Sequence, residues 1–229
     1  LEATRLALLE MQKVFQKYST IELRVVATSA VRDAKNSFEI HKMVDEILGA
    51  PVNVIPGHLE AELSFSGARY AANKIFPDRK SLFVDVGGAS TEVGLMDLTE
   101  VRAKSFQAGG VRCMEALGLQ NAPVSDKDWK RAEKEIAQFF PEDQLHSLVG
   151  NEIPDLGIGI GGSLLVAAKA SGAEKLSEYG YFLSRAKFEA FNNTLRAKTL
   201  EQRENDFHIE KGRSDIVCTG ILCLTHVLK

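Results

Sequence analysis

The sequence has no long apolar segment, little proline and few cysteines. None of its apolar runs approaches the roughly 20 residues that a membrane-spanning helix needs. The amino-terminal end also has no basic stretch followed by an apolar one, as a secretory signal would. With 6 proline and 18 glycine residues among 229, the composition excludes collagen-like and disordered chains. We therefore expect a cytoplasmic, globular protein without a membrane span.

Cysteine, histidine and net charge exclude several kinds of site. Cys113, Cys218 and Cys223 are an odd number without the spacing of a metal or redox motif, so we expect buried, reduced thiols. The five histidines are scattered along the chain, which argues against a zinc site. A formal net charge of −3 argues against a surface that coats nucleic acid, so nucleic acid is not an expected partner. An anionic ligand would need a local site.

The first 80 residues alternate between helical and strand patterns. Apolar residues at three- and four-residue steps predict a helix over 4–18, and β-branched runs predict strands over 23–28 and 52–55. Further helices are expected over 37–48 and 58–75. This alternation is typical of a mainly parallel α/β layer.

After residue 80 the pattern changes to consecutive strands. Strands predicted over 81–86, 91–96 and 102–107 are joined by short turns, which indicates an antiparallel meander. The remaining predicted elements are a helix up to residue 117, a helix capped by Ser125, a strand over 156–160, a helix after Ser163, a helix over 184–203 and an apolar helix after Asp215.

The stretch from Asp85 to Glu92 combines two carboxylates, two adjacent glycines and two hydroxyls. An acid at the end of a buried strand is costly to desolvate unless it meets a cation or donors, so Asp85 is a candidate metal ligand. Glu92 offers a second carboxylate nearby. Adjacent glycines let the backbone approach an anion closely. The candidate phosphate-binding residues of this turn are Gly87, Gly88, Ser90 and Thr91. A glycine-rich hairpin with surface acids is the alternative.

Glu60 lies in the first turn of the helix predicted over 58–75. The helix dipole favours an anion there, and the carboxylate could orient an attacking water. Acids are common in first helical turns, so a solvated surface acid is the alternative. Glu62, which is equally acidic but turned to another face, provides the comparison.

Two further stretches offer donors at the ends of predicted strands. Arg32 follows the strand over 23–28, where open α/β sheets bind ligands, and a guanidinium suits bidentate phosphate contact. Gly162 and Ser163 follow the strand over 156–160 and precede a helix, which indicates a second backbone anion site. A solvated arginine and a simple tight turn are the respective alternatives.

Six stretches, in their order along the chain, resemble the Ppx/GppA phosphatase family of exopolyphosphatases and guanosine pentaphosphate phosphohydrolases. They lie at 27–36, 54–61, 85–92, 109–112, 159–163 and 212–220. Together they extend over nearly the whole chain, which makes the resemblance more specific than any single motif.

The resemblance implies an α/β, actin-like and sugar-kinase-like fold of two domains around a cleft. We expect a first domain over 1–57, truncated at its amino-terminal end, and a second domain over 58–229 that begins with the interdomain helix. The family's opening strand and its D-x-G-S/T-N-S phosphate loop would lie upstream of Leu1.

The resemblance also implies hydrolysis of a terminal phosphoanhydride in polyphosphate or guanosine pentaphosphate, assisted by Mg²⁺ or another divalent cation. Glu60 would be the general base, and Asp85 and Glu92 would hold the metal or assist the base. The implied phosphate ligands are Arg32, Gly87, Gly88, Ser90, Thr91, Gly162, Ser163 and Arg213. A second copy of the chain is left open as a partner.

The sequence departs from the family pattern at three places. Ala89 stands where a third glycine is common, Leu59 where an acid often precedes the proposed base, and Ser163 where threonine is usual. Two other functions stay open: an actin-like nucleotide-dependent kinase, and a non-catalytic phosphate-binding regulatory module.

Overall fold

The computed structural model describes residues 1–18, 22–97, 100–178 and 180–229. Contacts between residues divide the chain into a first unit, Leu1–Glu60, and a second unit, Ala61–Lys229. Within the described ranges, no helix has both the length and the apolar character that crossing a membrane requires.

The first unit combines a small parallel sheet with helices. Its elements are α1 (Glu2–Phe15), β1 (Val25–Ala27), α2 (Ser29–Arg32), α3 (Ser37–Leu48), β2 (Val52–Val54) and the first turn of α4 (Gly57–Asn73). Val25 pairs with Val52 in parallel register, which confirms the parallel layer. Helix α3 ends at Gly49, whose φ of +66° lies in the left-handed region that favours glycine. Strand β1 ends one residue earlier than predicted because Thr28 is already the N-cap of α2.

The second unit contains the rest of α4 and a larger set of elements. These are β3 (Ser81–Val86), β4 (Thr91–Met96), β5 (Val101–Phe106), α5 (Gly110–Leu117), α6 (Asp126–Glu135), a 3₁₀ helix (Ile136–Phe139), α7 (Glu142–Val149), β6 (Leu156–Ile160), α8 (Gly162–Ala170), β7 (Glu174–Ser177), β8 (Gly180–Phe182), α9 (Arg185–Arg196), α10 (Leu200–Phe207) and α11 (Val217–Val227).

A four-stranded sheet in the order β5-β4-β3-β6 is the centre of the second unit. Strands β3, β4 and β5 form the predicted antiparallel meander, and β6 joins β3 in parallel. On one face Phe83 and Met96 pack against Phe65 of α4. On the other face Val84 and Val93 belong to the main core, which includes residues of α5, α8 and α11. Because side chains alternate along a strand, every second residue of β3 faces α4.

Most predicted elements of the second unit are confirmed, and one is wrong. Strands 81–86, 91–96 and 156–160 have the predicted bounds, and Ser125 caps α6 by accepting from Asp128 N at 3.1 Å. The single helix predicted over 184–203 is instead divided into α9 and α10. The physical reason is a capping box, in which Thr199 and Gln202 satisfy each other's backbone N–H groups and start a new helix. Four elements were not predicted from the sequence, namely α2, α7, β7 and β8.

The thiols are free and buried, as predicted. Cys113, Cys218 and Cys223 carry no disulfide. Cys113 on α5 and Cys223 on α11 lie with their sulfurs 3.8 Å apart in the main core. Burial of this kind makes a thiol a small apolar residue rather than a reactive one.

Gly94 in β4 is predicted to be required for close packing of α4 on the sheet. A Cβ at this position would lie 2.6 Å from Cε2 of Phe65 and 2.9 Å from the carbonyl oxygen of Arg102. Gly94→Ala should therefore lower the free energy of unfolding by about 1–3 kcal/mol, as overpacking does. Chemical denaturation measures the change. The matched control is Gly157→Ala in β6 of the same sheet, where the nearest atom would be 3.9 Å away. Equal losses in both variants would contradict this account.

Candidate active site

Two carboxylates lie opposite each other at one end of the central sheet. Asp85 of β3 pairs with Glu92 of β4, and Glu92 pairs with Ser105 of β5. Cross-strand partners project to the same face of a sheet, so the three side chains form a row on the face that α4 covers. Ser105 Oγ donates to Glu92 Oε1 at 2.7 Å, and Glu92 is only 3% exposed. The structure therefore brings together the two predicted metal ligands.

Asp85 is a partly buried acid with a hydroxyl partner. Ser64 of α4 donates a hydrogen bond from Oγ to Asp85 Oδ2. Burial raises the pKa of Asp85 because desolvation disfavours the carboxylate, while the Ser64 hydrogen bond acts in the opposite direction by stabilising it. A cation bound at Asp85 would relieve the cost of burying this charge.

The donors at this point fit a hard divalent cation that keeps part of its hydration. Mg²⁺ is commonly held by one or two carboxylates together with water and substrate phosphates. Asp85 and Glu92 supply two such carboxylates. Across the part of the chain that the structure describes, no three His, Cys, Asp or Glu residues converge into a metal-binding group. The arrangement thus fits a cation shared with an anionic substrate better than a closed structural metal site.

The glycine turn after β3 is held against the start of α5. The carbonyl of Gly87 accepts from Gly110 N at 2.8 Å, and that of Gly88 accepts from Val111 N at 2.9 Å. A Cβ on Gly109 would overlap with the backbone of Gly88, so this approach needs glycine. The first N–H groups of α5 therefore donate hydrogen bonds to the carbonyls of the turn. Gly87 and Gly88 themselves are exposed.

The hydroxyl residues of this turn face the protein interior. Ser90 is 3% exposed and Thr91 has no exposed surface. Thr91 Oγ1 donates to the carbonyl of Ala108, just before α5. Phosphate binding by the Thr91 hydroxyl stays a prediction, and it would require this hydrogen bond to be exchanged.

Gly162, Ser163 and Arg213 come together at the start of α8. A Cβ on Gly162 would overlap with Nη1 of Arg213, so the guanidinium lies directly on the Gly162 backbone. Gly161 has a φ of +112°, and a Cβ there would lie 2.5 Å from the carbonyl oxygen of Val86 at the end of β3. Within the described residues, α8 has no side-chain cap. Its first N–H groups and Arg213 therefore offer hydrogen-bond donors at one place.

In the first unit, Arg32 contacts the proposed base. Arg32 Nη1 lies 3.4 Å from Glu60 Oε2 and donates to the carbonyl of Ile55 at 2.7 Å. The two charged side chains are mostly buried, at 24% and 19% exposed. Glu62 is exposed, so the two acids differ in environment, as expected. Arg32 orients the Glu60 carboxylate here, and its binding of phosphate stays a prediction.

Sequence reasoning missed the two serines beside the carboxylates. Ser105 could have been found from the meander, since the register of 91–96 with the next strand puts it opposite Glu92. Ser64 had no such signal, because its contact with Asp85 depends on how α4 packs on the sheet.

Replacing the buried carboxylate should stabilise the folded protein. In metal-free buffer at neutral pH we expect Asp85→Asn to raise the free energy of unfolding, because an acid with a raised pKa destabilises the folded state while it is ionised. This gain in the free energy of unfolding should shrink as the pH falls from the raised pKa of the folded protein to the ordinary pKa of the unfolded chain. Below both values the carboxyl is neutral in the folded and the unfolded state. Denaturation curves with EDTA at several pH values measure it. A gain that grows on acidification would contradict the prediction.

Comparison with known proteins places the chain in a family. The model of the Ppx/GppA phosphatase family matches residues 1–229. A bifunctional 3-dehydroquinate synthase/phosphatase of Fusobacterium nucleatum is 27% identical over 100% of this chain, which spans 35% of that protein's length. Exopolyphosphatase 2 of Mycobacterium tuberculosis is 28% identical, with 99% of this chain and 72% of that protein covered.

A solved structure of similar fold supports the same assignment. The crystal structure of an exopolyphosphatase-like protein has a TM-score of 0.85 and 31% identity, and the match covers 97% of this chain and 72% of that one. The expected α/β, actin-like fold and the phosphatase class are confirmed at the level of the family. The chain belongs to the Ppx/GppA phosphatase family.

Proposed function

We propose that the protein hydrolyses the terminal phosphoanhydride bond of inorganic polyphosphate with the assistance of Mg²⁺ or another divalent cation. The observation that carries the proposal is the row of Asp85 and Glu92 beside the glycine turn, in the same unit as the donors of Arg213 and Gly162. Carboxylates suit a cation and the donors suit an anion, and a metal–polyphosphate complex needs both. The relatives named exopolyphosphatase support this substrate class. Guanosine pentaphosphate offers the same kind of bond and is the second substrate to be assayed.

In the proposed reaction, positioning and charge neutralisation contribute more than covalent chemistry. A divalent cation held by Asp85 and Glu92 would neutralise charge on the phosphate oxygens. Arg213 and the N–H groups of Gly162 and Ser163 bind phosphate oxygens. Glu60 accepts a proton from the attacking water, whose oxygen bonds to the terminal phosphorus. The bridging P–O bond breaks, and the shortened chain leaves with the electron pair.

We further propose a second domain that begins at residue 58, a cytoplasmic location and a second copy of the chain as partner. We also propose phosphate contacts by Arg32, Gly87, Gly88, Ser90 and Thr91. The observed division falls after Glu60, within α4.

Glu60→Gln is predicted to abolish most of the activity. Glutamine keeps the shape of the side chain but cannot accept the proton, so kcat should fall roughly 10²- to 10⁴-fold. Phosphate release from long-chain polyphosphate with Mg²⁺ measures it in the full-length protein. The matched control is Glu62→Gln, two residues further on the same helix and exposed, which should keep its activity.

Two outcomes would contradict the proposal in different ways. Unchanged activity of Glu60→Gln would remove Glu60 from the mechanism. Tight binding of polyphosphate or guanosine pentaphosphate to the wild-type protein without any release of phosphate would replace the hydrolase by a non-catalytic phosphate-binding module.

Asp85→Asn is predicted to raise the requirement for Mg²⁺. Loss of one carboxylate oxygen ligand should increase the Mg²⁺ concentration for half-maximal activity roughly tenfold or more. Because the same variant is expected to be more stable than the wild type, unfolding would not explain the change. Glu100→Gln, directly before β5 at the opposite end of the sheet, is the control. An unaltered metal titration would exclude Asp85 as a ligand.

A further inference from the structure

Arg203 of α10 is a fully buried arginine in the second unit. It is 1% exposed, although arginine side chains are almost never fully buried unless they are paired. Its Nε donates to the carbonyl of Leu195 at 3.0 Å, and its Nη1 donates to the carbonyl of Ser214 at 2.8 Å. Both of these acceptors are backbone oxygens. The side chain therefore connects separate pieces of backbone.

The two carbonyls belong to separate segments of the chain. Leu195 lies in the last turn of α9, where its carbonyl also accepts from Lys198 N at 3.3 Å. Ser214 lies in the segment that precedes α11. Glu204, the next residue of α10, makes a second hydrogen bond to the same segment: Ser214 Oγ donates to Glu204 Oε1 at 2.8 Å. Consecutive residues of α10 thus hold both the backbone and the side chain of Ser214.

Ser214 directly follows Arg213, whose guanidinium lies on the Gly162 backbone. On the other side of Arg213 is Gly212, which has a φ of +85° and where a Cβ would meet no atom within 4 Å. The Arg213 side chain is half exposed, and its ion pair at 3.2 Å is with Glu210, which is itself 82% exposed. The buried anchor of this segment is therefore on the Ser214 side.

Packing alone does not account for the arginine. Arg203 Nη2 and Asp215 Oδ1 are buried and have no hydrogen-bond partner in the described part of the chain. A buried polar atom without a partner costs free energy, and an apolar residue of similar size would fill the same volume without that cost.

The positive charge of Arg203 also acts on the first turn of α11. Burial raises the pKa of Cys218 to about 11, and the charges of Arg203 and Arg196 act in the opposite direction.

We propose that Arg203 is a positioning residue for phosphate binding, which it serves by fixing, through Ser214, the segment that carries Arg213. The inference rests on the proposed function, because it takes Arg213 to be a phosphate ligand. Arg203 itself does not touch the substrate, since it has almost no exposed surface.

The test measures the affinity for inorganic phosphate, which is not turned over, by titration calorimetry of the full-length protein with Mg²⁺. Arg213→Gln should weaken binding roughly tenfold, as expected for loss of one charge-assisted hydrogen bond. Arg203→Lys keeps the charge, but a single ammonium group should not reach both carbonyls. It should weaken binding by about threefold, a smaller loss of the same kind. The double variant should bind no more weakly than Arg213→Gln alone, because a residue that acts through Arg213 has no effect in its absence.

Two further variants separate positioning from stability. Ser214→Ala removes only the bond to Glu204, so it should give a smaller loss of affinity even if Arg203→Lys folds poorly. Arg131→Lys is the matched control. Arg131 Nη2 also donates to a carbonyl at a helix end, that of Leu117 at 3.0 Å, so this variant should keep the wild-type phosphate affinity.

Failure of the Arg203 inference and failure of the proposed role of Arg213 give different results. Additive losses in the double variant, or wild-type affinity in folded Arg203→Lys and Ser214→Ala, would overturn the inference and leave the role of Arg213 intact. Wild-type affinity in Arg213→Gln would overturn both the inference and the proposed role of Arg213 as a phosphate ligand.

Discussion

The register of β3 with its two neighbours determines the position of nearly every functional group in the second unit. Pairing with β4 puts Asp85 opposite Glu92, and parallel pairing with β6 brings Gly161 against the end of β3. Since side chains alternate with a period of two, a shift of β3 by one residue would move Asp85 from the α4 face into the apolar core, away from Glu92. Burial of Phe83 and Val84 on opposite faces opposes such a shift. The core therefore specifies the site.

Close backbone contacts at glycine determine which N–H donors remain available to bind an anion. The turn after β3 uses the first N–H groups of α5 through the carbonyls of Gly87 and Gly88. At the start of α8, in contrast, Gly162 faces the Arg213 guanidinium. Two glycine turns that look equivalent in the sequence thus have different roles. One makes a rigid support, and the other presents donors.

Local patterns predicted most of the central sheet, and contacts between distant residues account for what they missed. Strands 81–86 and 91–96 were predictable because β-branched and apolar runs end at charged residues or glycine. The break between α9 and α10 was missed because helical periodicity continues through it, although Thr199 and Gln202 have capping-box spacing. Pairing of the carboxylates was predictable from a hairpin. The contact of Ser64 with Asp85 joins residues 21 positions apart on different elements, and no local pattern encodes it.

The charged groups of the second unit are costly to the fold in two different ways. Asp85 is desolvated and accepts a hydrogen bond from the neutral Ser64 hydroxyl, so a bound cation would further stabilise its carboxylate. Arg203 is buried more deeply, and it donates to two backbone carbonyls, while its Nη2 has no partner in the described part of the chain. A ligand that binds only the folded protein stabilises it by mass action. A cation bound at Asp85 would therefore offset the first cost, whereas the second is a permanent part of the structure. This difference separates Asp85, which we propose to meet the ligand, from Arg203, which we propose to hold another residue in place.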